Sequence, residues 1–190
     1  CLALPASAAI LIPNGDFSNG SENWLSVTGT GSSPATTSPT GGNPGGYGSI
    51  TLGDGWGIFV SPTIAGNIGG GVSIASLGLT AGGPVTFTWD SINLGVAGGT
   101  PTAGSVAGMK VEAWGNNAIV GNTGDQQVNP IGDGSTWQTY TYNWTIPLNT
   151  EKLIFVPLNN RAGANTVIGL DNVGVVPEPS TYALLALGAA

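Results

Sequence analysis

The sequence has no histidine, a single cysteine and only three lysine or arginine residues in a chain of 190. Without histidine, the usual general base and the Ser-His-Asp nucleophile are both missing. The lone cysteine, Cys1, leaves no disulfide to stabilise the fold, and thiolate or imidazole zinc sites are absent with it. Three basic residues against ten acidic ones give a net charge of −7. That balance weighs against nucleic acid, which needs Lys and Arg to displace counterions, and disfavours anionic lipid for the same reason. Only 7% of residues are charged, so Ser, Thr, Asn, Gln and Gly must cover the surface. A glycosidase can run on two carboxylates alone, and Asp54, Asp90, Glu112, Asp125 and Asp133 are available. None has a recognisable catalytic context, and no enzymatic activity is expected.

What the chain does have is apolar alternation. Apolar residues make up 41% of it, with six tryptophans, which argues for a packed core rather than disorder. Val85, Phe87 and Trp89 alternate with Thr86, Thr88 and Asp90; Met109, Val111 and Ala113 alternate with Lys110, Glu112 and Trp114. This period of two predicts strands over 47–52, 57–61, 72–79, 85–92, 109–114, 137–146, 152–157 and 167–175. No window of the central region holds helical periodicity over three turns. Short strands joined by Gly-rich turns predict an antiparallel β-sandwich. The Ser/Thr/Pro/Gly-rich stretch Gly29 to Gly46 reads as a long surface loop, as does Gly95 to Gly108. Phe17, Val85, Phe87, Val111, Ile154, Val156, Leu170 and Val173 are the expected inward core.

Both ends read as addresses. Cys1 to Ala9 (CLALPASAA) matches the end of a secretory leader, with cleavage expected after Ala8 or Ala9. At the other end Val176, Pro177, Glu178 and Pro179 lead into Ser180-Thr181-Tyr182 and an uncharged Leu/Ala/Gly run, where Ser180 is placed to cap a helix. This wording resembles the PEP-CTERM sorting signal of Gram-negative bacteria that make exopolysaccharide. The resemblance implies a transmembrane helix here only begun, transient membrane anchoring by it, and cleavage by an exosortase. Residues 1–9, 10–175 and 176–190 are thus expected to be leader, sandwich domain and sorting signal, the last with a short hydrophobic helix.

The central domain carries a second resemblance. Asn14-Gly15-Asp16-Phe17 followed by Trp24, Thr136 to Thr141 (TWQTYT), and Leu170-Asp171-Asn172-Val173 occur in the order seen in galactose-binding-like sandwiches and related carbohydrate-binding modules. That family implies a jelly-roll fold in which the opening turn and closing strand meet. It also implies a structural calcium, for which Asn14, Asp16 and Asp171 are the candidate ligands, as hard oxygen donors. Ser18 stands where the family often has an acid.

Sugar binding is the further implication. Pyranose rings stack on aromatic faces while their hydroxyls take amide and carboxylate partners. Trp24, Trp89 and Trp137 read as structural. Trp56, between two glycines, and Trp114, opposite the apolar face of its strand, are the candidate platforms, with Tyr47, Asp54, Asn116 and Asn117 beside them. The alternative is that every Trp is core. The expected function is a secreted, cell-surface or matrix protein that binds extracellular polysaccharide. The alternative is a structural subunit that self-associates into a filament or coat.

Overall fold

The computed structural model describes residues 8–29, 33–52, 57–60, 70–96, 107–128, 136–159 and 166–177. The described residues form thirteen strands: β1 (Ile10–Leu11), β2 (Leu25–Thr28), β3 (Thr36–Gly42), β4 (Gly45–Leu52), β5 (Gly57–Val60), β6 (Val72–Ser73), β7 (Pro84–Val96), β8 (Ala107–Gly115), β9 (Ala118–Asn122), β10 (Gln126–Val128), β11 (Gln138–Thr145), β12 (Lys152–Asn159) and β13 (Thr166–Pro177). All pair antiparallel, in two sheets. The first runs β11-β7-β13-β4-β3, with β1 also on β13. The second runs β10-β8-β12-β5-β2, with β6 also on β12 and β9 also on β8.

The period-two pattern decides which side chains meet between the sheets. From β7, Val85, Phe87 and Trp89 point inward; from β13, Ile168, Leu170, Val173 and Val175; from β8, Met109, Val111 and Ala113; from β12, Leu153 and Phe155. Phe87 spans the gap: its ring meets Phe155 of the opposite sheet edge-on at 5.8 Å and Trp144 of its own sheet at 5.7 Å. Aromatic pairs at such separations add to the burial of their area. The opening loop closes one end of this core. Trp24 stacks on Phe17 at 4.8 Å, and its indole N–H donates to the Asn14 carbonyl at 2.8 Å.

Several expectations need correction. The sandwich is all-β, but no α-helix occurs among the described residues. The only helical element there is a 3-10 turn, Ala75–Leu77, so the expected C-terminal hydrophobic helix is not among the elements described. Its expected residues lie outside those described. No helix among the described residues is long and apolar enough to cross a membrane, so the expected membrane anchoring finds no helix there. The sandwich also reaches further than residue 175, because Val176 and Pro177 pair with Thr86 and Val85.

The stretch read as a surface loop supplies β3, an edge strand. Its Thr, Ser and Gly residues bring almost no apolar surface, and only the backbone ladder to β4 signals it. Residues 72–79 give a two-residue strand and the 3-10 turn, because Gly78 takes a left-handed φ of 67° and ends the run. Ile154 and Val156 are buried, but on the outer face of β12, where they form a separate cluster with Val60. Their strand neighbours Leu153 and Phe155 are the inward ones.

Candidate functional site

The outer face of the second sheet carries the most sugar-like chemistry. Along β8, Lys110, Glu112 and Trp114 alternate with the buried Met109, Val111 and Ala113 and so face outward, each partly exposed. Their partners across β12 are Val156, Ile154 and Lys152 in turn. The centre of this face is apolar and closed, with Ile154 0% and Val156 4% exposed. Val27 and Trp114 pack against it. The Trp114 indole N–H donates to Glu112 Oε2 at 3.2 Å, while Lys110 Nζ lies 2.7 Å from Glu112 Oε1. Glu112 therefore ties ammonium and indole together and fixes the ring at the margin of an apolar floor. A flat ring beside fixed charged donors and acceptors can hold a pyranose by stacking and hydrogen bonding.

The outer face of the first sheet is organised differently. Asp90 and Asp171 are register partners on β7 and β13, and both are buried, Asp171 completely. Asp171 accepts the backbone N–H groups of Asn43 and Asn172. Asp90 accepts from the Asn43 side chain at 3.0 Å, the Asn172 side chain at 2.7 Å and the Thr139 hydroxyl at 2.6 Å. Asn172 also donates to the Asn43 carbonyl. The turn that covers the pair leaves no room for side chains: a Cβ on Gly42 would lie 2.7 Å from Asp171 Oδ2. Burial pushes the Asp171 carboxyl up to about 6, the like charges of Asp90 and Asp16 adding to it and the two backbone N–H donors opposing it.

The remaining candidates are scattered. Tyr47 lies on the first sheet, not beside Trp114; its ring meets Trp137 edge-on at 5.7 Å. Trp137, expected to be core, is only half-buried. It leans over Gly169, where a Cβ would come within 3.0 Å of it, and its N–H donates to the Gly41 carbonyl at 3.0 Å. Asn116 and Asn117 are the two central residues of the β8–β9 hairpin, at φ 51° and 60°. Asn tolerates that left-handed pair, so turn geometry already accounts for both. Trp56 and Asp54 lie outside the described residues, as do Glu178 and Pro179 of the sorting signal.

The calcium ligands expected by resemblance do not fit as a set. The Asn14 carbonyl already accepts from Trp24 and from the Phe17 N–H, and its side chain binds Gly20, Glu22 and Asn19. Asp16 caps its own turn by accepting the Ser18 N–H at 3.2 Å. Each Asp171 oxygen faces an N–H. No group of three potential ligands among His, Cys, Asp and Glu converges among the described residues. What the alternation could not show was Asp90 as the partner of Asp171. The pairing is the last of the register that runs from Ile168–Asn93, just before the shift between Asp171 and Gly174.

No family model matches the sequence, and no curated protein matches it. Solved structures do. One is the CBM4 carbohydrate-binding module, at 20% identity and a TM-score of 0.53, with 88% of this chain and 99% of the module covered. Another is TmCBM61, solved with β-1,4-galactotriose, at 11% identity and 0.56, covering 88% and 98%. A third is the enzymatically active domain of bacteriophage CBA120 tailspike protein 4, at 11% identity and 0.57; 88% of this chain matches, spanning only 21% of the tailspike chain. At such identities the likeness shows the fold. This chain has an all-β, carbohydrate-binding-module-like sandwich fold.

Proposed function

We propose that this domain is an extracellular polysaccharide-binding module whose ligand lies on the outer face of the second sheet. The observation that carries the reading is Trp114: a partly exposed indole, held in place by Glu112, itself paired with Lys110, beside an apolar floor. The likeness to sugar-binding modules over nearly their whole length supports it. Affinity electrophoresis on polysaccharide from the producing cells is the test. Trp114→Ala should abolish retardation while circular dichroism shows the sheet intact. Unchanged retardation in that variant would refute the reading.

A second reading, a self-assembling structural subunit, is favoured by β11. It is an eight-residue edge strand with no charge and no proline, and Thr139, Thr141, Asn143 and Thr145 face outward. Uncharged edges of this kind invite pairing with another chain. Light scattering without sugar separates the two readings. Secretion and exosortase sorting at Val176 to Pro179 belong to the same proposal and rest on the sequence wording alone. Intact-mass measurement of the protein from its host, showing loss of both termini, is the expected result.

A further inference from the structure

A sheet edge is a row of unpaired backbone donors and acceptors, and natural edges are kept short, charged, bent or interrupted by proline. The second sheet follows that pattern. It ends on β2, of four residues, at one side and on β9 and β10, of five and three, at the other. In the first sheet β3 is blunted too: Pro39 lies inside it, and its register with β4 breaks between Ser38 and Gly42. β11 has none of these devices. Its eight residues (QTYTYNWT) contain no charge and no proline, and all eight pair with β7 in unbroken register. Among the described residues no strand pairs with its other edge.

Both faces of this strand match a copy of themselves. Tyr140, Tyr142 and Trp144 share the inner face with their register partners Trp89, Phe87 and Val85. Those partners are each 1% exposed, yet all three aromatic residues of β11 stay partly exposed while packing on the core. The rim of the core is therefore a row of three incompletely covered rings, about 7 Å apart along the strand. On the other face Thr139, Thr141, Asn143 and Thr145 form an exposed, uncharged row. Aromatic pairs and Thr–Thr pairs across neighbouring strands are both stabilising. The net charge of −7 makes two copies repel as a whole, and β11 adds no charge of its own to a seam between them.

We propose that β11 pairs antiparallel with β11 of a second copy of this chain, joining two first sheets into one and closing a two-fold dimer. Inner faces meet inner faces only when paired residue numbers share parity, so two central registers serve: Thr141 on Thr141, or Tyr142 on Tyr142. Either sets Tyr140 against an aromatic residue of the second copy, Tyr142 or Trp144, and Thr139 against Asn143 or Thr145. A contact that uses the same edge twice closes on itself. Open-ended growth through this sheet needs β3 as the second edge, and β3 is blunted. The proposal rests on the edge seen in the structural-subunit reading and narrows that reading from a filament to a pair. Trp114 is on the other sheet and lies outside the seam.

Sedimentation equilibrium of the full chain without sugar should give twice the chain mass, with no larger species as concentration rises. Hydrogen exchange supplies a readout that needs no variant. On an unpaired edge, alternate amides of Gln138 to Thr145 face solvent and exchange fast; in the dimer both alternating sets are slow. Thr141→Glu combined with Asn143→Glu sets like charges opposite each other in either register. It should weaken association roughly tenfold and make the alternate amides fast again, with circular dichroism unchanged. A monomer at every concentration, with fast alternate amides, overturns the proposal. A mass that keeps growing with concentration overturns the closed pair and favours open assembly. A dimer whose alternate β11 amides remain fast is held by another surface and also overturns it. Polysaccharide retardation is read separately through Trp114→Ala, so a monomer that is still retarded leaves that reading standing.

Discussion

On the first sheet the outward polar groups are turned on one another: Asp90 and Asp171 accept from Asn43, Asn172 and Thr139 beneath a glycine turn. On the second sheet the outward groups stay partly open, with Trp114, Glu112 and Lys110 in one fixed array and Lys152 beside it. Both faces contain a carboxylate and an aromatic residue, so composition does not tell them apart. Burial does. Asp171 is fully buried and serves to hold a loop, whereas Trp114 keeps a face toward solvent. A buried polar network stabilises when complete and costs heavily when broken, while a half-open array has donors and acceptors left for a ligand. On the proposed reading, one face serves stability and the other recognition.

The largest expected effect tests the core that both faces share. Phe87→Ala should cost about 3–5 kcal/mol, the range for a buried aromatic truncation, read from denaturant midpoints. Thr86→Ala, one residue along and on the outer face, should cost far less. Next comes the first face: Asp171→Ala should cost about 1–3 kcal/mol, since it leaves the part-buried Asn43 and Asn172 N–H groups without their acceptor. It should leave polysaccharide binding intact, and a variant that keeps its midpoint but loses binding would reverse the comparison.

A smaller effect should appear with pH. In the folded domain Asp171 keeps its proton to about pH 6, against an ordinary value of 3.8. Its contribution to stability is then complete below about pH 4 and is lost as pH rises through 6. Melting temperatures across that window should fall with rising pH, and Asp171→Asn should flatten the slope. The smallest effect concerns calcium. Because Asn14, Asp16 and Asp171 are already engaged by N–H donors, adding calcium or a chelator should leave the melting temperature unchanged. A rise of several degrees with calcium would show that the ion displaces that network.

Much of this architecture was legible in the residues because one face of each strand is buried. The alternation in Val85 to Asp90 and in Met109 to Trp114 gave the correct inward sides, and Trp114 was correctly placed on the outer face. The failures have physical causes. β3 has little side-chain burial, so periodicity had nothing to report. Ile154 and Val156 misled because apolar side chains can be buried on an outer face as well as an inner one. Asn116 and Asn117 also have a structural reason to be present, since the hairpin needs residues that tolerate positive φ. Tyr47 and Trp137 are drawn together across the first sheet by Gly41 and Gly169, contacts distant in sequence.

The assignment of recognition to the second sheet is tested most directly by the indole N–H resonances during a titration with host oligosaccharide. The Trp114 signal should move progressively, because its N–H bond to Glu112 lies at the proposed stacking ring. The Trp137 signal, fixed to the Gly41 carbonyl on the other face, should stay in place. Movement of Trp137 with a stationary Trp114 would contradict the account.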